Sequence, residues 1–447
     1  MGGDMQRSRL TASRRDFLKA AGLVATSAGL VPAWMADLTY GEEKPAASAR
    51  RKLGAIGVGG QGTYVMMTAA QYGDVVAVAD VDKNHLNRAK DQLATRQKEI
   101  DVELLGDYRK LLERQDISCV TIGSPDHWHT KMVIDSMKAG KDVYCEKPLT
   151  LTVAEGQQIL KVMKETGKVL QVGTQQRSDL GLFIRAVATV RSGQLGKIKK
   201  VTVQLPQSTA EGGPFAGKPV PENLDWNSWL GQAPEVEYCP ERCHFSFRWW
   251  YEYSGGILTD WGAHHIDICQ WALGQERSGP LTVDGSKTKL PGIENGYNTP
   301  KHPSLFLTYP GDIEVEVTTG NEGLLFEGSE GRMFVNRGRI TGKPIEEQDK
   351  DQGLKDKTMA LVQEIYGKDR KPVSHMEDFF RAVEDRKAPI SDAETQHRTV
   401  SICHIGNASI RLQRKLTWDP VAERFVGDDE ANTHLSRPQR SPFQTEA

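Results

Sequence analysis

Cysteine is scarce in this chain, with six in 447 residues, which excludes the dense disulfide framework that small secreted domains rely on. The one close pair, Cys239 and Cys243 in YCPERCHF, has His244 beside it. No second ligand pair stands at zinc-like spacing, so two unpaired thiols and no metal are expected. An excess of charge of either sign is also missing. Lys and Arg total 57 against 59 Asp and Glu, a formal net charge of −2, which argues against a nucleic-acid-binding surface as the main role. Long apolar runs are absent too. The mild stretch AAGLVATSAGLVPAWMA at 20–36 is diluted by Gly22 and Gly29 and broken by Pro32, so no permanent membrane span is expected. What is present, 38% hydrophobic and 26% charged residues, is the balance of a globular protein long enough for two domains.

The mild apolar stretch follows Ser13-Arg14-Arg15-Asp16-Phe17-Leu18-Lys19. Two adjacent arginines ahead of a weakly hydrophobic, Ala/Gly-rich segment form a twin-arginine export signal. Residues 1–49 therefore read as signal and linker, with cleavage after Ala36 or Ala49. The expected partner is the twin-arginine export machinery, and the expected destination is the periplasm or otherwise outside the cytoplasm.

Folded sequence opens at about residue 50. An apolar strand runs into Gly57-x-Gly59-x-x-Gly62, with Gly60 and Gln61 in the turn, and a helical segment follows. The first glycine permits a tight turn, the second lets a pyrophosphate approach the backbone, and the third lets helix and strand pack closely. Phosphates then lie on free N–H groups at a helix N-terminus. A second strand, 74–80, ends at Asp80, where a carboxylate can accept both adenosine ribose hydroxyls and repel a 2′-phosphate. NAD is therefore the expected cofactor, with NADP left open by the nearby Lys83. Strands and helices keep alternating through SPDHWH at 124–129 and Glu146-Lys147-Pro148, which implies a parallel, doubly wound sheet over 50–171. Ligands in such sheets sit at the carboxyl ends of the strands. Ser124, Pro125, His127, His129, Glu146 and Lys147 are thus candidate cofactor contacts. His127 and His129 are placed either to touch a ligand or to cap their loop.

These motifs, with Gly255-Gly256-Ile257-Leu258-Thr259-Asp260-Trp261-Gly262-Ala263-His264-His265-Ile266-Asp267 further on, resemble the glucose–fructose oxidoreductase, inositol dehydrogenase and MocA (Gfo/Idh/MocA) family. The resemblance runs from about Leu53 to the C-terminus. It implies an α/β Rossmann domain followed by a C-terminal α+β domain with a large, mostly antiparallel sheet, here 172–420, then a tail, 421–447. The residues agree independently, because SLFLTYPGDIEVEVTTG and GLLFEGSEGRMFVNRG each read as a hairpin around a turn. The resemblance also implies a homo-oligomer.

In that family the lysine corresponding to Lys147 sits between nicotinamide and the substrate hydroxyl. An ammonium there can hydrogen-bond the reacting oxygen and stabilise developing alkoxide. Asp260, His264 and Asp267 recur at helical spacing and share a face if 260–273 is one helix. His264 is the expected general acid/base, with Asp260 orienting it or binding a sugar hydroxyl. Gln175, Arg177, Trp250 and Asp267 are candidate substrate contacts. The expected function is nicotinamide-dependent oxidoreduction of a sugar, sugar acid or cyclitol. Free cofactor is scarce outside the cytoplasm, so a tightly held, recycled dinucleotide is expected. The alternatives are a redox-neutral glycosidase or lyase working through a transient keto-sugar, and a non-catalytic binding protein.

Overall fold

A computed structural model of the protein describes residues 31–38, 50–367 and 371–446. The twin-arginine motif at 13–19 lies outside them, as does Ala49. Within 31–38, Met35 is fully buried in the core of the second domain and Trp34 Nε1 donates to Asp349 Oδ1 at 3.1 Å.

The first domain alternates strand and helix: β1 Arg51–Ile56, α1 Gly60–Ala69, β2 Gly73–Ala79, α2 Lys83–Ala94, β3 Glu103–Leu105, α3 Tyr108–Glu113, β4 Cys119–Ile122, α4 Asp126–Lys138, β5 Asp142–Cys145, α5 Val153–Thr166 and β6 Leu170–Val172. The six strands form one sheet in the order β3-β2-β1-β4-β5-β6, all parallel. Strands β4, β5 and β6 are buried along their whole length because helices cover both faces. The strand order reverses between β1 and β4. There Ile56 pairs with Ile122 and Ile122 with Cys145, so the turns after β1, β4 and β5 emerge side by side at one edge. This is the crevice where open α/β sheets bind ligands.

The second domain is built on a nine-stranded sheet: β7 Ile198–Leu205, β8 Thr282–Asp284, β9 Leu305–Tyr309, β10 Ile313–Thr319, β11 Gly323–Gly328, β12 Arg332–Asn336, β13 Arg339–Thr341, β14 Lys415–Asp419 and β15 Arg424–Phe425. The order is β13-β12-β11-β7-β10-β9-β8-β14-β15. Only the β7–β10 pair is parallel, so the sheet is mixed and mostly antiparallel. Both expected hairpins form, β9 with β10 and β11 with β12. The helix expected over 260–273 is instead two pieces, α6 Ile257–Asp260 and α7 Gly262–Ala272. Trp261 between them keeps helical backbone angles, φ −99° and ψ −25°, and the Asp260 carbonyl accepts from Lys147 Nζ.

Two late segments fold back onto the first domain. Helix α8, His375–Asp385, buries Met376, Phe379, Phe380 and Val383 against Val75 and Tyr144 of the parallel sheet. The segment expected as a tail also makes tertiary contacts: Phe443 joins the core of the first domain, and Arg437 pairs with Glu155 at 2.8 Å and donates to the His127 carbonyl at 2.9 Å. Among the described residues no helix is long and apolar enough to cross a membrane.

Because Phe379 is fully buried in the first domain's core, Phe379→Ala is expected to destabilise that domain by about 3–5 kcal/mol. Urea unfolding followed by fluorescence and by amide exchange in β2 and β5 checks this. Unchanged exchange in those strands would contradict the packing.

Candidate active site

A cavity of about 1440 Å³ runs along the seam between the domains, larger than a pocket for one small ligand and long enough for a dinucleotide with a substrate at one end. At one end lies the glycine turn. Gly57 has φ +71°, and a Cβ there would come within 2.5 Å of the Ser124 nitrogen. A Cβ on Gly62 would fall on the Gly57 carbonyl oxygen. Side chains are thus excluded where backbone must meet backbone, whereas a Cβ on Gly60 would project into open space. No side chain caps α1 at Gly59, so its first amides are left for an anion. Gly59, Gly60 and Gln61 line the cavity, as do Ser124 and Pro125, and the buried Ser124 hydroxyl has no partner. An uncapped helix start, a cradle that side chains would fill and an orphaned hydroxyl together fit a dinucleotide.

Asp80 lies farther along the same wall. Its carboxylate accepts from the Val58 nitrogen at 2.8 Å and the Asp82 nitrogen at 2.9 Å, and faces His85 Nδ1 at 3.2 Å. It therefore braces the glycine turn and keeps lone pairs for ribose hydroxyls. Asp82, His85 and His244 can bring one ligand atom each within 4.8 Å of one another. Asp82 is already held by the Asn84 nitrogen and Asn223, so this group reads as an interdomain contact. Cys239 and Cys243 are buried free thiols.

At the other end, Lys147 leaves the carboxyl end of β5 and crosses the seam. Its Nζ lies 2.5 Å from Asp260 Oδ1 and 2.8 Å from the Asp260 carbonyl. Arg248 Nε approaches the same carboxylate oxygen at 3.4 Å. Burial opposes ionisation of Asp260, but Lys147 and Arg248 outweigh it and hold the carboxyl down at about 2. Asp260 is thus committed to two cations and is not the group that orients His264. Its side chain and its carbonyl both face Lys147 instead.

His264 lines the cavity, and its Nδ1 has no hydrogen-bond partner. Burial, reinforced by Arg337 and Lys147, pushes its pKa well below the usual histidine value, so it is a neutral imidazole. Glu146 also lines the cavity; it accepts from Gln61 at 3.1 Å and Gln175 at 3.2 Å. Burial raises its carboxyl against the opposing pull of Lys147 and the Gln61 hydrogen bond.

Five expected contacts lie elsewhere. Arg177 and Asp267 form a fully buried bidentate pair, with both N–O distances 2.7 Å, and Asp267 also accepts from Gln396 and Thr399. The pair locks α7 to the helix at 393–412 and does not face the cavity, so neither residue is placed to bind substrate. His127 is fully buried with Nε2 on the Trp229 carbonyl at 2.9 Å. His129 bridges the carbonyls of Pro148 and Ser124 at 2.7 and 2.9 Å. Both face inward because α4 starts already at Asp126, which removes the expected loop through 129. Trp250 is buried too, stacked under Arg242 at 3.6 Å, and does not line the cavity.

In their place the cavity wall carries Asp126, Trp128, Trp261, Arg248 and Arg337. Trp128 shares a helix face with Lys131 and Met132, which also line the cavity, whereas Asp126 reaches it from the first residue of α4. Arg337 carried no sequence signal. It sits in the tight turn between β12 and β13, nearly 200 residues beyond Lys147 in the chain.

A glycine-cradled helix start, an acidic end to the second strand and a lysine at the strand edge define a dinucleotide-binding oxidoreductase. Residues 51–174 match the NAD-binding Rossmann domain of the Gfo/Idh/MocA oxidoreductase family, and 190–292 with 356–445 match its C-terminal alpha/beta domain. The chain belongs to that family and is an NAD-binding oxidoreductase. It is 23% identical to myo-inositol 2-dehydrogenase of Thermotoga maritima over 309 residues, 68% of this chain and 80% of that one. It is 34% identical to an alpha-N-acetylgalactosaminidase of Shewanella oneidensis over 174 residues, but that match spans only 35% of this chain and 38% of the relative. The fold is shared with the WlbA dehydrogenase of Bordetella pertussis in complex with NADH and UDP-GlcNAcA, at TM-score 0.57 and 15% identity, covering 83% of this chain and 99% of that one.

Burial lifts the Asp126 carboxyl from its ordinary 3.8 to about 7. Its stabilising contribution is therefore full below about pH 4 and is lost as pH rises through 7. Asp126→Asn should remove that dependence, so the variant gains on the wild type by a few kcal/mol between pH 4 and 8. Denaturant titrations at each pH check it, and parallel pH profiles for the two proteins would contradict it.

Proposed function

We propose that the protein is an exported oxidoreductase that moves hydride between tightly held NAD and a carbon bearing a hydroxyl of a sugar-type substrate. One observation carries this reading. Lys147, at the edge of the dinucleotide domain, and His264, at the start of a helix of the other domain, line a single cavity with the glycine turn at its far end. The dinucleotide, when bound, supplies the hydride acceptor. Gly57, Gly59, Gly60, Gln61 and Gly62 cradle its phosphates, Asp80 takes ribose hydroxyls, and Ser124, Pro125 and Glu146 line the path onward.

Lys147, held by Asp260 at 2.5 Å, donates a hydrogen bond to the reacting oxygen and offsets its developing negative charge. His264, neutral and lining the cavity, accepts the hydroxyl proton on its imidazole as hydride departs from carbon. Gln175, hydrogen-bonded to Tyr144 and Glu146, presents its amide to a second hydroxyl. The twin-arginine signal supports cofactor loading before export and recycling within each turnover. Processing after Ala36 or Ala49 would remove the contacts of Trp34 and Met35. The family resemblance supports a homo-oligomer, which light scattering tests.

A second reading is redox-neutral cleavage, in which oxidation of a sugar hydroxyl acidifies the neighbouring C–H and permits elimination of a glycosidic substituent. The 34% identical segment shared with alpha-N-acetylgalactosaminidase favours it. The same Lys147 and His264 serve both schemes. Aglycone release without net change in the nicotinamide band would select cleavage.

The purified protein should release about one equivalent of NAD or NADH on denaturation, identified by mass spectrometry. With a substrate found in a sugar panel, Lys147→Ala should cut turnover by at least ~10²-fold. Absence of dinucleotide, or full turnover by the variant, would contradict the proposal.

A further inference from the structure

The substrate end of the cavity holds a guanidinium with no carboxylate at ion-pair distance among the described residues. Arg337 lines this end, with its guanidinium stacked on Trp261 at 4.4 Å from the ring centroid. With the Gln176 amide turned to satisfy both neighbours, Arg337 Nε donates to its oxygen at 3.2 Å, and its nitrogen donates to the His264 carbonyl at 3.0 Å. The turn bearing Arg337 is fixed as well: Asn336 Oδ1 accepts from the Gly338 and Arg339 nitrogens at 2.9 and 3.0 Å, and its Nδ2 reaches the Glu322 carbonyl at 3.2 Å. Arg337 is therefore held against Trp261 and beside His264 by a neutral amide and a rigid turn.

The acidic groups whose field reaches its guanidinium make their side-chain contacts with other side chains or with backbone, Glu322 with the Arg337 backbone nitrogen among them. Glu322, Asp260, Glu146 and Asp179 are those groups. Glu322 faces His265 Nε2 at 3.0 Å. Asp260 is bound by Lys147 and Arg248. Glu146 accepts from Gln61 and Gln175, and Asp179 caps Leu182 at 3.0 Å. Among the described residues none lies within ion-pair distance of Arg337. Burying a cation without a counter-ion is costly, and the cost is recovered when a ligand brings the missing charge.

We propose that Arg337 is the recognition residue for a carboxylate on the substrate, so that the sugar-type molecule oxidised or cleaved here is a sugar acid. The proposal deepens the reading given above and rests on it. A guanidinium with its Nε occupied still presents N–H donors in one plane, which matches a planar carboxylate. One uncompensated positive charge also suits a monoanion better than a phosphate monoester, which carries close to two negative charges at neutral pH. Trp261 lies against the guanidinium, and both residues line the cavity. A carboxylate seated there lies beside His264, which places the neighbouring carbinol within the part of the cavity bounded by His264 and Lys147.

The test uses the full-length protein with its bound dinucleotide and two readouts. The probes are D-glucuronate, D-galacturonate and D-gluconate, their neutral counterparts D-glucose and D-galactose, and glucose 6-phosphate. Binding is read as thermal stabilisation and by calorimetry, and turnover as the change in bound nicotinamide absorbance. The wild type should bind at least one sugar acid about tenfold or more tightly than its neutral counterpart. In Arg337→Gln that ratio should collapse toward one, and Arg337→Lys should restore part of it. Unaltered dinucleotide content in both variants shows that they fold. A sugar-acid preference that survives in Arg337→Gln, or no preference in the wild type, overturns the proposal. So does an Arg337-dependent preference for glucose 6-phosphate, which would make the subsite a phosphate site. Arg337-dependent binding of a sugar acid without turnover of any probe would instead uphold the carboxylate site and count against the oxidoreductase reading.

Discussion

The contact on which the rest of the site depends is the ion pair between Lys147 and Asp260. One partner extends from the edge of a parallel sheet; the other closes a short helix in a different domain. Their 2.5 Å contact draws the two domains together at the wall of the cavity between them. Taking two such charges out of water is expensive and is recovered only when geometry and further hydrogen bonds are good. Here the Asp260 carbonyl and Arg248 supply those further bonds. The arrangement keeps the ammonium in place over the cavity, where it can serve a developing oxyanion without reorganising.

That pair also sets the electrostatics around it. Because Asp260 is spent on Lys147 and Arg248, nothing anionic is left to stabilise an imidazolium at His264, and burial with Arg337 and Lys147 nearby keeps the ring neutral. A neutral imidazole is the form needed to accept a proton from an alcohol. Burial also raises Asp126 to about 7 and raises Glu146. The substrate end therefore gathers Lys147, Arg248 and Arg337 around one strongly acidic carboxylate, Asp260, while burial opposes ionisation of Asp126, Glu146 and His264. This asymmetry favours anionic ligands and developing oxyanions alike.

Much of the dinucleotide half was legible because its constraints are local. Gly57 and Gly62 are needed for turns and close packing within a few residues of themselves, and the alternating strands announce a parallel sheet by period and spacing. The hairpins 305–319 and 323–336 were legible for the same reason. The substrate half was less so, because its residues are assembled from distant parts of the chain. Arg337 comes from a turn with no motif. Helix α8 completes the first domain from more than 200 residues after β6 has begun its return. Arg177 and Asp267 looked like exposed polar ligands, yet they neutralise each other inside the second domain. Spacing in sequence gave Asp260 and His264 a shared helical face, whereas Asp260 is taken up by Lys147 and Arg248, which come from outside that helix. His127 and His129 were misplaced by the three or four residues separating a loop from a helix start.

The central claim is that one cavity joins the glycine turn to Lys147 and His264. A crystal structure of the protein with reduced NAD bound tests it most directly. The account predicts pyrophosphate density against the amides of residues 59–61 and the nicotinamide ring beside Lys147 Nζ, with its open face toward His264. Nicotinamide density outside the seam, or a dinucleotide lying with its adenine at Lys147, would contradict it.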